Sequence, residues 1–183
     1  MNDERGAAAA ARLVLLRHAK SAWPDDVADH ERHLAPRGRR DAPVAGRLLR
    51  EMTFVPDLVI CSTARRARET WELAAGALGA EVPVRYDERV YGADPAELID
   101  VLREVPAEVG TALLVGHNPG MEDLAGALTA EAEGDALARM TEKFPTSAFA
   151  VLDLHGGWPA LAPGTGRLAA FVVARGPKRD PDT

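Results

Sequence analysis

Leu13-Val14-Leu15-Leu16-Arg17-His18 is the stretch from which the rest of the chain can be read. Four successive apolar residues bounded by charge have the pattern of a strand buried on both faces. This one ends in an arginine and a histidine. Two later runs repeat the arrangement. Leu58-Val59-Ile60 stops at Cys61-Ser62, with Arg65, Arg66 and Arg68 just beyond, and Ala112 to Val115 stops at Gly116-His117. Helical patterns separate the runs. Gly38 to Glu51 is amphipathic through Val44, Leu48 and Leu49, and a longer helix is expected over about Ala64 to Leu78, with Ser62 or Thr63 as its N-cap. Pro95 to Arg103 sets Leu98 and Leu102 one turn apart. Asn118 is suited to cap a further helix that has Pro119 at its first position and Glu122 and Asp123 in its first turns. Val82 to Tyr86, Ala148 to Leu154 and Leu168 to Ala174 read as further strands, and Ala127 to Ala138 as an Ala-rich helix with a loop. Strands alternating with helices predict an α/β sheet covered on both faces.

Composition narrows the function classes. The chain has 183 residues, 22 Lys+Arg and 28 Asp+Glu, and a formal net charge of −6. Aromatic residues make up only 5%. Acidic character with few rings argues against a general nucleic-acid binder, which needs basic surface and often stacking platforms. The single cysteine, Cys61, allows neither an intrachain disulfide nor a cysteine-based zinc site. Residues 1–11 lack the basic start and unbroken apolar stretch of a signal peptide, and Leu13 to Leu16 is too short to span a bilayer. The expectation is a flexible leader over 1–11, one cytoplasmic domain over 12–175 and a flexible tail over 176–183.

Ligands of parallel α/β sheets bind outside the carboxyl ends of the strands. If the three apolar runs lie parallel, Arg17, His18, the arginines after Ser62 and His117 share one edge. Such a group suits a phosphoryl group, whose charge is spread over several oxygens. A lone histidine at a strand end is ordinarily just hydrogen-bonded, so the argument rests on the coincidence of three similar strand ends.

Leu16-Arg17-His18-Ala19-Lys20-Ser21 resembles the signature of the histidine phosphatase superfamily, also called phosphoglycerate mutase-like. Asp29-His30-Glu31-Arg32-His33-Leu34 with Gly38-Arg39-Arg40-Asp41-Ala42 is similar to the next segment of its SixA-type phosphohistidine-phosphatase branch. Ser62 to Thr70 matches the Ser-x-x-x-Arg-Ala-x-x-Thr block. Val115-Gly116-His117-Asn118-Pro119 matches the second histidine, and Phe144-Pro145-Thr146-Ser147-Ala148 a late block. The resemblance implies a three-layer sandwich with a mostly parallel central sheet. It implies His18 as a nucleophile forming phosphohistidine, with Arg17, Arg66 and His117 holding phosphoryl oxygens. It also implies a substrate that is either a phosphohistidine protein or a phosphorylated small molecule, with no metal or other cofactor. A nucleophilic imidazole must be neutral, and its second ring nitrogen needs an acceptor to aim the reacting one. Asp87-Glu88-Arg89-Val90-Tyr91-Gly92 resembles the mutase block that carries a general acid, which points to Glu88; Glu88 is equally readable as an exposed loop charge. Where mutases carry Gly and Asn, this chain has Ala19 and Pro24. Only 29 positions separate Glu88 from His117, too few for the insertion that covers a mutase site.

Several features remain alternatives or decoys. A phosphate-recognition module without turnover, a phosphoglycerate-type mutase and a Cys61/Arg68 phosphatase are the competing functions. Gly164-Thr165-Gly166-Arg167-Leu168-Ala169 mimics a dinucleotide fingerprint but lacks a preceding strand and following helix, so a hairpin turn is expected. His30 and His33 read as rim histidines. Trp23 and Trp158 fall in loops; Trp23 could line the mouth of the pocket, with packing as the default role.

Overall fold

The computed structural model describes residues 11–177. The expected leader and tail therefore fall largely outside the described residues, although Ala11 opens the first strand and Gly176 is pinned to Asp41, whose carboxylate accepts its backbone N–H at 2.8 Å. The strands are β1 (Ala11–Arg17), β2 (Leu58–Ser62), β3 (Val84–Asp87), β4 (Thr111–Gly116), β5 (Thr129–Ala132), β6 (Ala148–Leu154) and β7 (Gly166–Val173). The helices are α1 (Pro36–Glu51), α2 (Arg65–Leu78), α3 (Pro95–Arg103), α4 (Gly120–Leu128) and α5 (Ala136–Glu142). All seven strands join one sheet in the order β3-β2-β4-β1-β6-β7-β5. Pairing is parallel except where β6 meets β1 and β7, so β6 alone runs against the others. This is the α/β architecture expected from the alternation of elements.

The continuous apolar run of β1 has the predicted consequence. Leu13 and Leu15 enter a core beneath α3, α4 and α5, with Leu98, Leu102, Leu124 and Met140. Val14 and Leu16 enter the opposite core, under α1 and α2, with Leu49, Ala67, Trp71 and Leu78. Each fully buried leucine contributes roughly 1.5–3 kcal/mol relative to exposure, so a one-residue slip would exchange the two faces of the central strand. Among the described residues no helix is long and apolar enough to cross a membrane.

Four local expectations require correction. The residue before α2 is Ala64, with no side-chain cap. Ser62 ends β2 instead, and its Oγ accepts the Ala64 N–H at 3.3 Å while also meeting His117. Asn118 does not cap α4. The Asn118–Pro119 bond is cis, Pro119 occupies the cap position, and the Asn118 amide donates to Glu122 and to the Phe144 carbonyl. The Ala127–Ala138 region is not one helix with a loop, because β5 lies between α4 and α5. It is a four-residue edge strand, Thr-Ala-Glu-Ala, held by parallel pairing to β7 rather than by any apolar pattern of its own. Finally, Trp158 is packed as expected, 1% exposed, whereas Trp23 departs from the packing default and is 74% exposed, in keeping with the alternative of a place at a pocket mouth. The Gly164–Ala169 segment forms the end of the β6–β7 connection and the start of β7, and no helix follows it among the described residues.

Gly46 sets the distance between α1 and α2. A Cβ there would fall well inside contact with the Ala74 carbonyl. That neighbour is backbone and cannot rotate away. Gly46→Ala is therefore expected to lose about 1–3 kcal/mol in urea unfolding, the usual cost of overpacking. Unchanged stability would show that the helices separate freely.

Candidate active site

Parallel pairing brings the strand ends level. Arg17 lies opposite Gly116, Cys61 opposite Val115, and Ser62 opposite Asp87. The residues that follow leave the sheet along one edge, and the His18 N–H donates to the Gly116 carbonyl at 3.0 Å. Arg17, His18, Arg66 and His117, singled out separately in the sequence, line one crevice of about 210 Å3 with Lys20, Ser21, Trp23 and Arg32. The rings of His18 and His117 stand 5.0 Å apart.

The hydrogen bonds define the tautomer of His18. Its Nδ1 lies 2.7 Å from the Ala19 carbonyl, which can only accept, so Nδ1 carries the proton. Nε2 is then the free lone pair, and the Arg66 Nε–H donates to it at 3.3 Å. The acceptor required for the second ring nitrogen is thus the backbone of the next residue. The Ala19 N–H is itself held by Thr70 Oγ1 at 2.9 Å, and Thr70 donates to the Arg66 carbonyl. His117 Nε2 meets Ser62 Oγ at 2.8 Å.

Charge and burial keep both imidazoles neutral. The pKa of His18 is pushed well below its ordinary value, first by burial and then by His117, with Arg66 and Arg17 adding to the effect against the Ala19 hydrogen bond. His117 is lowered to about 3, again by burial first and then by Arg66. The Arg66 guanidinium is held by Asp29, donating to its carbonyl at 2.7 Å and to Oδ2 at 3.1 Å. Asp29 also accepts from the Tyr91 hydroxyl at 2.6 Å and from Arg32 at 2.7 Å. The Tyr91 hydroxyl, ahead of Arg32 and Arg66, holds this carboxyl well below the usual carboxylate range.

Asp29, Arg32, Tyr91 and Ser62 were given no site role from sequence. Each lies in a block that carries the family resemblance, but membership of a block says nothing about which distant arginine the Asp29 carboxylate meets. Arg65 and Arg68 are engaged elsewhere, with Glu69 and the Thr63 carbonyl. Glu88 opens a three-residue 3-10 turn after β3; it is exposed and does not line the crevice of His18. Cys61 is buried among Val14, Leu16 and Trp71, and burial raises its thiol to about 12, which opposes a thiolate role. His30 directs its ring nitrogens to Glu31 and Thr63.

A neutral imidazole with an aimed lone pair, sharing a crevice with two guanidiniums at the carboxyl edge of the sheet, is an arrangement suited to a phosphoryl group. Residues 13–141 match the family model of the histidine phosphatase superfamily, branch 1. The chain belongs to that superfamily. It is 46% identical over 162 residues to an uncharacterized protein of Mycobacterium tuberculosis, covering 87% of this chain and all of that one. It is 33% identical to the structure of a candidate phosphohistidine phosphatase SixA from Nakamurella multipartitia, with a TM-score of 0.80 over 90% of this chain and 96% of that one. A candidate phosphohistidine phosphatase SixA from Agrobacterium tumefaciens is also 33% identical, with a TM-score of 0.74 over 88% and 97% of the two chains. These likenesses bear out the SixA-type resemblance and its sandwich fold.

Neutral burial of the histidines has a measurable consequence. In the unfolded chain an imidazole takes up a proton near pH 6.5. In the folded protein His117 does so only at about 3, and His18 well below its ordinary value. The unfolded state therefore binds more protons between those limits, and stability falls as pH drops below about 6.5. Denaturant titrations between pH 7 and 5 should show this slope, and His117→Asn should reduce it. An unchanged slope would mean that His117 is protonated in the folded protein.

Proposed function

We propose that the protein is a phosphatase that transfers a phosphoryl group to His18 and then to water, acting on phosphohistidine in preference to phosphomonoesters. The observation that carries this reading is the fixed His18 tautomer, with Nδ1–H on the Ala19 carbonyl and the Nε2 lone pair toward Arg66. In the first step Nε2 forms a bond to phosphorus. The bond from phosphorus to the leaving group breaks, and its electron pair returns to the departing atom. When that atom belongs to an imidazole already protonated on its other nitrogen, the ring departs neutral and no enzymic acid is needed. Water then attacks phosphorus, the P–Nε2 pair returns to His18, and the protons of water leave with the product phosphate.

Arg17, Arg66 and His117 serve as the clamp on the phosphoryl oxygens. Such transfers depend chiefly on positioning and on stabilising spread charge. Arg66 has two duties in this scheme. Its guanidinium suppresses protonation of His18 and stands ready to exchange its Nε–H contact for a phosphoryl oxygen. The exposed position of Glu88 supports a substrate that brings its own proton, and the short Glu88–His117 interval supports hydrolysis over mutase chemistry, which must exclude water. An alkoxide leaving group requires an acid, and Glu88 is the residue to test for that role.

His18→Ala is expected to abolish both hydrolysis and labelling of the protein by a radioactive phosphoramidate. Arg66→Ala should lower kcat by roughly 10²–10³-fold, the cost of removing one donor to a developing anion. Label trapped by His18→Ala, or full activity in Arg66→Ala, would overturn the scheme. In a second comparison, Glu88→Gln should leave hydrolysis of a phosphohistidine peptide unchanged. A selective loss on phosphomonoesters would identify Glu88 as their proton donor.

A further inference from the structure

Trp23 departs from the usual fate of a large aromatic side chain. The other two tryptophans, Trp71 and Trp158, are 3% and 1% exposed, whereas Trp23 is 74% exposed and lines the same crevice as His18. It is nevertheless held. The Arg32 guanidinium carbon lies 3.3 Å from the centre of the indole, a face-on cation–π stack. Arg32 cannot easily leave this position. Its side chain is 7% exposed, and its nitrogens donate to the Ala22 carbonyl, Asp29 Oδ1 and Ser21 Oγ. One face of the indole is thereby fixed while much of the ring stays open to solvent. Through Asp29, the same carboxylate orders both this ring and the Arg66 clamp.

We propose that Trp23 is a specificity-determining platform on which the flat ring of the leaving group stacks, so that the site selects phosphoryl groups borne on an imidazole. This rests on the phosphatase reading above and names the residue that recognises its leaving group. The crevice, at about 210 Å3, is smaller than the roughly 300–1,000 Å3 of pockets that enclose a whole drug-sized ligand. It suits a phosphoryl group and the first ring attached to it, with the remainder of the substrate outside. A phosphohistidine side chain has that shape: a ring one bond from phosphorus, continuing into a polypeptide. Aryl phosphates carry their ring one atom further out, across the ester oxygen, and they lack the ring proton that lets imidazole depart neutral. An exposed, pre-ordered aromatic face provides stacking with little further loss of side-chain freedom on binding.

Phosphoimidazole and phosphoramidate share the P–N bond, and only the first has a ring. Trp23→Ala is expected to raise KM for phosphoimidazole about twofold to tenfold, the range for one aromatic pair, with kcat little changed and phosphoramidate kinetics unaltered. Trp23→Phe should keep most of the affinity. Equal losses on both substrates, or no loss on either, would overturn the platform. Faster turnover of phenyl phosphate than of phosphoimidazole would overturn the choice of imidazole. Binding is read separately in His18→Ala, where phosphoimidazole should quench indole fluorescence and phosphoramidate should not, with Trp71 and Trp158 shielded by burial. Phosphoenzyme formed by His18→Ala would break the nucleophile assignment while leaving this quench as the test of Trp23.

Discussion

Arg17 lies opposite Gly116 in the pairing of β1 with β4, and that register makes the site possible. It brings His18 and His117 together, ring centres 5.0 Å apart, from positions almost a hundred residues apart in the chain. Nothing in the crevice fixes the register. Burial of Leu13 and Leu15 on one side and of Val14 and Leu16 on the other does so, because a shift by one residue would send every side chain of the central strand to the wrong core. Chemistry at the edge of the sheet is thus positioned by packing in its middle.

The average charge of the chain is a poor guide to the crevice. A net charge of −6 coexists with Arg17, Arg32 and Arg66 at one sheet edge. Cations gathered this closely repel one another, and the imidazoles beside them are kept neutral by burial first, with the cations adding to the effect. Asp29 is the compensating charge, shared by Arg66 and Arg32. An acidic body around such a crevice disfavours extended polyanions, which agrees with the proposed reading of a single phosphoryl group presented at its mouth.

The regular elements were legible because their signals are local. β6 and α3 match their expected spans, and β1, β2 and β4 differ only at their ends. Failures occurred where a nonlocal partner decided the outcome. β5 has no strand pattern and exists by pairing with β7. Asn118 has the composition of an N-cap, but its amide is taken by Glu122 and by the Phe144 carbonyl of a distant segment. Ser62 likewise faces His117 rather than starting α2 as its cap.

By itself, the sequence determined which strands are buried on both faces and that arginines and histidines follow them, because an uninterrupted apolar run and its polar ending are properties of neighbouring residues. It also marked Arg66, rather than Arg65 or Arg68, through the resemblance of its block. Only the tertiary structure decided that the Ala19 carbonyl sets the His18 tautomer, that Asp29 joins Arg66 to Arg32, that Trp23 stands open at the mouth and that Glu88 lies outside the crevice. Those facts depend on the directions of side chains brought together from separate loops, and a direction in space is set by packing across the sheet rather than by order along the chain.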